Sequence, residues 1–576
     1  MDKNKLHEEF VSGGVGDKPW IVPIQGLCGG ILILLNYHII RIFKLKLSGF
    51  SQLMFNFFII TFPYTLMMTV LSSYLLELFI VLSSILICLQ ISHSWKGSNV
   101  KRTIDKSFYY SEFDCLRSCV LIPTAIAILA VDFKIFPRSW AKTEYFGYSV
   151  MDVGTSGSFM LMGIGDEILN EKSKTKVEVK VEKKFLKKLP SWLVLFVLGI
   201  IRMVFMIIFN YHSHVSEYGV HWNFFITMGC VTLLSKAFTK YIGMKMLFLC
   251  LSLSYVILNL FGFQEWGLDN NASRTSIVSA NKEGIISLLG YFSIYVLYRI
   301  FGRYLLFIKK SGHGRYLSVT LETLIAPIIF FSLQLLSEHY LGEPSRRVFN
   351  IPFFFYTAGT TLLWFSLMVY AGKNIEELKN ARKNKDLLYL LSKYGLYFFL
   401  LANLLTGLVN ISIVTFEIDN SLVSLSIITF YMYILAFFCY FMDIVIMSNP
   451  YKDDDPFDNE ANAKKQLYSM KKSVSSAIGQ IYNQQKMKKQ GNILYCDVKG
   501  DELIKLEEDS FVPGSFRSSR DDKERKVQEK EKSSLLQANE NKQKVQFFGN
   551  EYFAETTDER KEKWLNILEQ RRVNNA

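Results

Sequence analysis

Ser73-Tyr74-Leu75-Leu76-Glu77-Leu78-Phe79-Ile80-Val81-Leu82-Ser83-Ser84-Ile85-Leu86-Ile87-Cys88-Leu89-Gln90-Ile91 carries one charge, Glu77, and neither Gly nor Pro. An apolar run of about 20 residues matches the hydrocarbon thickness of a bilayer when coiled as a helix. Immediately before it, across Ser72, the run 52–71 has the same character. Two such runs joined by so little chain form a tight helical hairpin through the membrane.

The pattern repeats outward in both directions. Spans are expected near 21–40, 52–71, 73–91, 116–133, 147–164, 190–209, 222–239, 244–262, 284–302, 318–337, 351–371, 394–412 and 422–447. The chain has 576 residues, 50% of them hydrophobic, with 47 Phe, and this fits a bilayer-embedded bundle better than a soluble core. The expected fold is all-α: a polytopic integral membrane protein of about thirteen transmembrane helices. Short alternating strands, the mark of a membrane barrel, are absent from the pattern. The first 19 residues mix acids and bases, and the first apolar run is long enough to span, so it reads as an uncleaved anchor.

Charge gives the orientation. The formal charge of +13 would suit nucleic acid if it lay on one face, but it is distributed by loop. Alternate loops hold Arg41 to Lys46, Lys96 to Lys106, Lys172 to Lys188, Lys236 to Lys245, Arg303 to Arg315 and Lys373 to Lys393. The intervening loops hold only Lys134, Arg138, Lys142, Arg274, Lys282, Arg346 and Arg347. Roughly 28 bases against 7 is a positive-inside signal, and no nucleic-acid partner is expected. The N-terminus is then luminal and the C-terminus cytosolic. Asn271-Ala272-Ser273, a glycosylation sequon, falls on the luminal side under this assignment.

The membrane domain covers 1–447, with a Lys/Glu-rich cytosolic loop over 165–189. The tail, 448–576, changes character: Asp453-Asp454-Asp455 and the run 520–532 lack apolar periodicity and read as disordered. Thr556-Thr557-Asp558-Glu559 has the form of a capping box, followed by Trp564, Leu565, Ile567 and Leu568 at helical spacing. A terminal helix over 557–572 is expected.

Ionisable residues at membrane depth usually mark chemistry or a substrate path. Asp132 ends one apolar run, Asp152 lies within the next, and Arg138, Lys142 and Glu144 separate them. Desolvation of a carboxylate at a span end suits it to general-base work. Pro137 permits the chain to fold back, so an Asp132–Lys142 pair could deprotonate a hydroxyl and stabilise an oxyanion. An interfacial salt bridge fixing the loop explains the same spacing. A second cluster, His212, His214, Glu217, His221 and Asn223, fills a short luminal loop. Its spacing matches no zinc pattern, and an aromatic belt with hydrogen-bonding histidines is the simpler reading. Arg202, Glu322 and Asp443 lie within spans, where each must face a partner or a cavity. No metal site and no nucleotide-binding loop is evident, and no bound cofactor is expected.

The polar segment Ala130-Val131-Asp132-Phe133…Phe136-Pro137-Arg138…Ala141-Lys142-Thr143-Glu144…Gly147…Ser149…Met151-Asp152-Val153-Gly154 closely resembles the signature of the PIG-W family, inositol acyltransferases of glycosylphosphatidylinositol (GPI) anchor synthesis known in fungi as GPI-anchored wall transfer proteins. Four further segments resemble it: His214 to Phe225, Asn281-Lys282-Glu283-Gly284-Ile285, Ser345-Arg346-Arg347…Asn350…Pro352, and Ala402 to Asn410. The likeness runs from about residue 5 to 447 and leaves the tail outside it. Ser139 departs from the pattern, which usually has a second Arg there.

The resemblance implies an endoplasmic-reticulum enzyme moving a fatty acyl group, typically palmitoyl, from acyl-CoA as co-substrate to the inositol 2-hydroxyl of glucosaminyl-phosphatidylinositol. It implies Asp132 and Lys142 as the catalytic pair. Arg138, Asp152, Arg346 and Arg347, with His214, Glu217, His221 and Asn223, become candidates for binding the lipid substrate. A lipid or solute transporter with an intramembrane ion-pair relay, or a non-catalytic scaffold, remains an alternative; the first usually shows an internal repeat, and none is convincing here.

Overall fold

The computed structural model describes residues 3–95, 108–175, 190–208, 215–311, 316–374 and 386–447. The chain divides into two units, Met1–Asp453 and Asp454–Ala576, and all described residues lie in the first. The expected terminal helix 557–572 and the rest of the tail fall outside them.

Helix α1 covers Lys3–Val11 and α2 covers Ile21–Ile42. A helical run α3, Phe50–Met68, passes through a π turn at Phe57–Thr61. There follow α4 (Leu75–Trp95), α5 (Phe108–Ala130), α6 (Val150–Thr175), α7 (Ser191–Ile208), α8 (Phe224–Phe238) and α9 (Met244–Leu260). The set closes with α10 (Lys282–Ser311), α11 (Tyr316–Leu341), α12 (Ile351–Asn374), α13 (Leu387–Ser412) and α14 (Ser421–Met447). Every expected span overlaps one of these. Among the described residues nine helical segments are long and apolar enough to cross a membrane, and α7, α8 and α9 are shorter apolar helices. The protein is an all-α polytopic membrane protein. Two isolated bridges, Gly14 with Thr143 and Asp17 with Tyr148, are its only sheet-like pairing among those residues.

The turn between α3 and α4 is short, as expected, but α4 packs chiefly on α2. Its outer face leaves Leu76, Ile80, Ile87 and Ile91 exposed, the surface a lipid-facing helix presents. The other main pairings are α11 with α12, α6 with α10, α5 with α13 and α7 with α8. Many of the polar side chains in the core meet partners, though Asn36 and Ser156 are buried without a hydrogen bond among the described residues. On α10, Tyr291, Tyr295 and Tyr298 are buried and their hydroxyls meet Thr155, Asp166 and Thr361.

Two expectations change at helix ends. The loop expected over 165–189 is helical as far as Thr175, because Glu167 pairs with Arg299 at 2.5 Å and Arg303 at 2.9 Å on α10. The span expected from residue 394 begins at Leu387. Asp386 caps it by accepting from the Leu388 N–H at 3.0 Å, and Tyr394 marks a kink. Residues 386–393 mix polar and apolar types, which hides a helix from a hydropathy reading. Of the scattered intramembrane charges, Asp443 is buried against Lys393 at 2.9 Å and the Tyr394 hydroxyl at 3.1 Å. Glu322 is exposed but contacted, and Arg202 lies exposed on the outer face of α7, contrary to the expected internal partner. A long Arg can carry its head toward the interface along such a face.

Candidate active site

The segment between α5 and α6, residues 131–149, is held under the N-terminal strand of chain. The Asp17 N–H donates to the Tyr148 carbonyl at 2.7 Å, and the Glu144 N–H donates to Gly14 at 2.9 Å. The Asp17 carboxylate accepts from Ser139 Oγ at 2.7 Å and Trp140 Nε1 at 3.2 Å. Gly147 makes the turn possible: its φ of 127° is a region that L side chains avoid, and a Cβ there would strike the Val15 carbonyl.

This clamp organises two carboxylate centres. Asp132, in the turn just beyond α5, is buried. Its Oδ1 lies 3.0 Å from His7 Nε2, and its Oδ2 accepts from Asn410 Nδ2 at 2.8 Å. Beside it Arg138 donates to the carbonyls of Phe133 (3.2 Å) and Phe136 (3.1 Å), with its guanidinium 4.4 Å above the Phe10 ring. Burial lowers the Arg138 pKa from the usual arginine range, with Asp132 opposing.

The second centre forms around Asp152 in the first turn of α6. Its Oδ2 accepts from Thr143 Oγ1 at 2.6 Å and from the Thr143 N–H at 3.2 Å. Its Oδ1 is ion-paired with Arg346 Nε at 2.7 Å. Arg346 Nη2 lies 3.6 Å from Glu217 Oε1, and Lys142 Nζ lies 2.7 Å from that same oxygen. Burial by itself would lower the Arg346 pKa; the carboxylates of Glu217 and Asp152 outweigh it and the net direction is up. Next to this chain, Arg347 Nη2 meets Asn270 Oδ1 at 2.7 Å and Glu283 Oε1 at 3.1 Å. Arg274 closes on Glu283 at 2.5 Å. Lys282, fully buried, gives its ammonium to the carbonyls of Trp266, at 2.9 Å, and Asp269.

The expected Asp132–Lys142 contact is not formed. Asp132 pairs with His7 and Asn410, whereas Lys142 pairs with Glu217. Pro137 does turn the chain, but the Arg138–Trp140 helical turn and the clamp carry Lys142 toward Thr143 and Asp152. Other expected binding residues are committed internally. Arg138 spends its donors on carbonyls, and Asp152 has a partner on each oxygen. Asn223 caps α8 through the Phe225 and Ile226 N–H groups, at 3.1 and 3.2 Å, and donates to Gly199. His221 uses its backbone N–H, 2.7 Å from Asn281 Oδ1, and leaves its ring exposed. His214 lies outside the described residues. Arg347 is different: its side chain is 1% exposed, yet Nε and Nη1 have no hydrogen-bond partner among the described residues. Asn271 is exposed in its loop. His7, Asn410, Glu283 and Thr143 were not named as site residues from sequence, although the last three fall within the resembling segments. His7 sits in a short polar segment whose mixed charges gave no periodic signal.

The described residues contain no group of three or more metal-ligating side chains. The arrangement instead offers a polarised carboxylate, an exposed cation and buried free guanidinium donors, the equipment for moving a group between an alcohol and an ester-like carbonyl. A family model described as GWT1 matches residues 3–442. The chain is 31% identical over 471 residues to GPI-anchored wall transfer protein 1 of Candida albicans, covering 73% of this chain and 93% of that one. It is 32% identical over 459 residues to GPI-anchored wall transfer protein 1 of Saccharomyces cerevisiae, covering 72% and 92%. It is 28% identical over 506 residues to glucosaminyl-phosphatidylinositol-acyltransferase PIGW of Mus musculus, covering 77% and 98%.

Proposed function

The chain belongs to the GWT1 family, and from that premise we propose that it transfers a fatty acyl group, typically palmitoyl, from acyl-CoA to the inositol 2-hydroxyl of glucosaminyl-phosphatidylinositol. It is a multi-span acyltransferase of GPI-anchor biosynthesis, a pathway of the endoplasmic reticulum. We propose that the donor is acyl-CoA because attack of an alcohol on a thioester needs what this site presents: a buried carboxylate to drive deprotonation and a cation for the oxyanion. The observation that carries the reading is Asp132, enclosed between His7 and Asn410 at the start of the segment that leads to Asp152.

In this proposal Asp132 supplies the negative charge that draws off the hydroxyl proton. Lys142, 46% exposed, is the cation for the developing oxyanion and is reached once Glu217 yields. Arg347, with two buried guanidinium nitrogens unused, is the best placed of the candidate arginines for the lipid phosphodiester, with Arg346 beside it holding Glu217 and Asp152. The basic-loop pattern supports an N-terminus in the lumen and a C-terminus in the cytosol, which sets this site at the luminal face.

The test is an assay of purified protein with palmitoyl-CoA and glucosaminyl-phosphatidylinositol, followed by mass spectrometry of the product. A gain of one palmitoyl group on the inositol ring is expected. Acylation on the glucosamine nitrogen, or release of free fatty acid alone, contradicts the proposed acceptor.

A further inference from the structure

Helix α1 precedes α2, the first apolar helix of the bundle, and it places one titratable side chain on the catalytic carboxylate. His7 Nε2 lies 3.0 Å from Asp132 Oδ1. The other carboxylate oxygen is taken by Asn410 Nδ2, and Asn410 Oδ1 in turn lies 3.4 Å from Thr415 Oγ1. An ionised carboxylate only accepts hydrogen bonds, so the shared hydrogen belongs to Nε2 and the lone pair of the neutral ring stands on Nδ1. That nitrogen has no hydrogen-bond partner among the described residues, and the His7 side chain is 22% exposed. The ring is fixed from the other side by Phe416, centroid to centroid 5.8 Å, and Phe10 of the same helix also meets Phe416 at 6.0 Å.

We infer that the proton acceptor for the attacking hydroxyl is His7 Nδ1, with Asp132 as the group that orients the imidazole and stabilises its charged form. The inference rests on the acyl-transfer reading above and deepens it. Each Asp132 oxygen already carries a hydrogen bond, whereas the Nδ1 of His7 has no hydrogen-bond partner among the described residues. A carboxylate behind an imidazole fixes its tautomer and favours the imidazolium. The charged group in contact with His7 is Asp132, with Arg138 near that carboxylate and Glu417 next to Phe416 in sequence. Arg138 is held away by the carbonyls of Phe133 and Phe136; α13 contributes neutral Asn410, and the turn Thr415–Glu417 contributes Phe416. The step balances as follows. The hydroxyl oxygen bonds to the thioester carbonyl carbon as its proton passes to Nδ1. Collapse of the tetrahedral adduct breaks the carbon–sulfur bond. The imidazolium then returns the proton to the departing thiolate.

The experiment compares wild type, His7→Gln and His7→Ala in the full-length purified protein, with palmitoyl-CoA and glucosaminyl-phosphatidylinositol. Gln keeps an N–H to Asp132 and preserves the clamp, but it cannot accept a proton. Expected for His7→Gln is a kcat at least about 100-fold lower with KM for both substrates within about twofold of wild type, the range for loss of a general base. The rates of wild type and variant are read across pH, and the two profiles are expected to differ. Added imidazole restores transfer to His7→Ala. A His7→Gln enzyme within twofold of wild type, with the same pH profile, overturns the role of His7 and leaves the acyl-transfer reading standing. Absence of transfer by the wild type overturns that reading first, and the proton-acceptor role with it.

Discussion

Asp152 and Lys142 are ten residues apart and illustrate how differently two charges can be employed. Asp152 is fully buried, with Arg346 on one oxygen and Thr143 on the other. Removing one partner of a buried pair strands the other charge, at a cost of about 3–5 kcal/mol. Arg346→Ala is therefore expected to lower the midpoint of thermal unfolding in detergent sharply, and Arg346→Lys to recover little of it, since an ammonium cannot reproduce the guanidinium fork. Lys142 is half exposed, and exposed pairs contribute at most about 1 kcal/mol. Lys142→Ala should leave the unfolding midpoint almost unchanged while lowering kcat about 100-fold, the usual loss for an oxyanion donor. A variant that loses stability and activity in proportion makes Lys142 a structural residue. The sequence made Asp132, Asp152, Lys142 and the arginines visible because charge is rare beside lipid. It could not show that Lys142 would turn to Glu217, about 75 positions away, because such a pairing depends on how α6 and the 215–218 turn pack.

Among the helices, α6 and α10 form the contact that carries the Asp152 centre. At Gly163 they come close: a Cβ there would stand 2.8 Å from the Tyr295 carbonyl oxygen. Backbone cannot yield as a side chain does, so Gly163→Val must push the helices apart, at a cost of about 1–3 kcal/mol. Gly163→Val is expected to lower stability and to weaken transfer by shifting Asp152, both read from one preparation. An unchanged midpoint would contradict the close approach. The apolar helices were legible, since each expected span overlaps a helix, but the polar α1 was not. Nor were the helix ends. The continuation of α6 to Thr175 depends on Glu167 reaching Arg299 and Arg303, and the start of α13 depends on the Asp386 cap. Both are tertiary or capping effects that hydropathy does not register.

For the molecule as a whole, the N-terminal segment, the 131–149 segment, the loop bearing Arg346 and the first turn of α10 with Glu283 gather at one end of the bundle. The seven bases in the intervening loops cluster here, and most of them are spent on carboxylates or carbonyls. Orientation follows from where the other bases lie, and Asn271 reports on it. In microsomes the wild type should shift in mobility on glycosidase treatment and Asn271→Gln should not; a protein in which Asn271 is protected on the cytosolic side reverses the assignment. The fold class was legible in the sequence from run length alone. The clamp of residues 12–18 over 139–148 was not, because two isolated bridges leave no pattern in a sequence. The central claim is that acyl transfer depends on the Asp132 carboxylate. Its most direct test is the single-turnover rate of palmitoyl transfer to glucosaminyl-phosphatidylinositol by Asp132→Asn, a change that keeps the side-chain shape and removes the charge. A loss of at least about 100-fold with folding intact is expected; transfer at the wild-type rate would contradict the account.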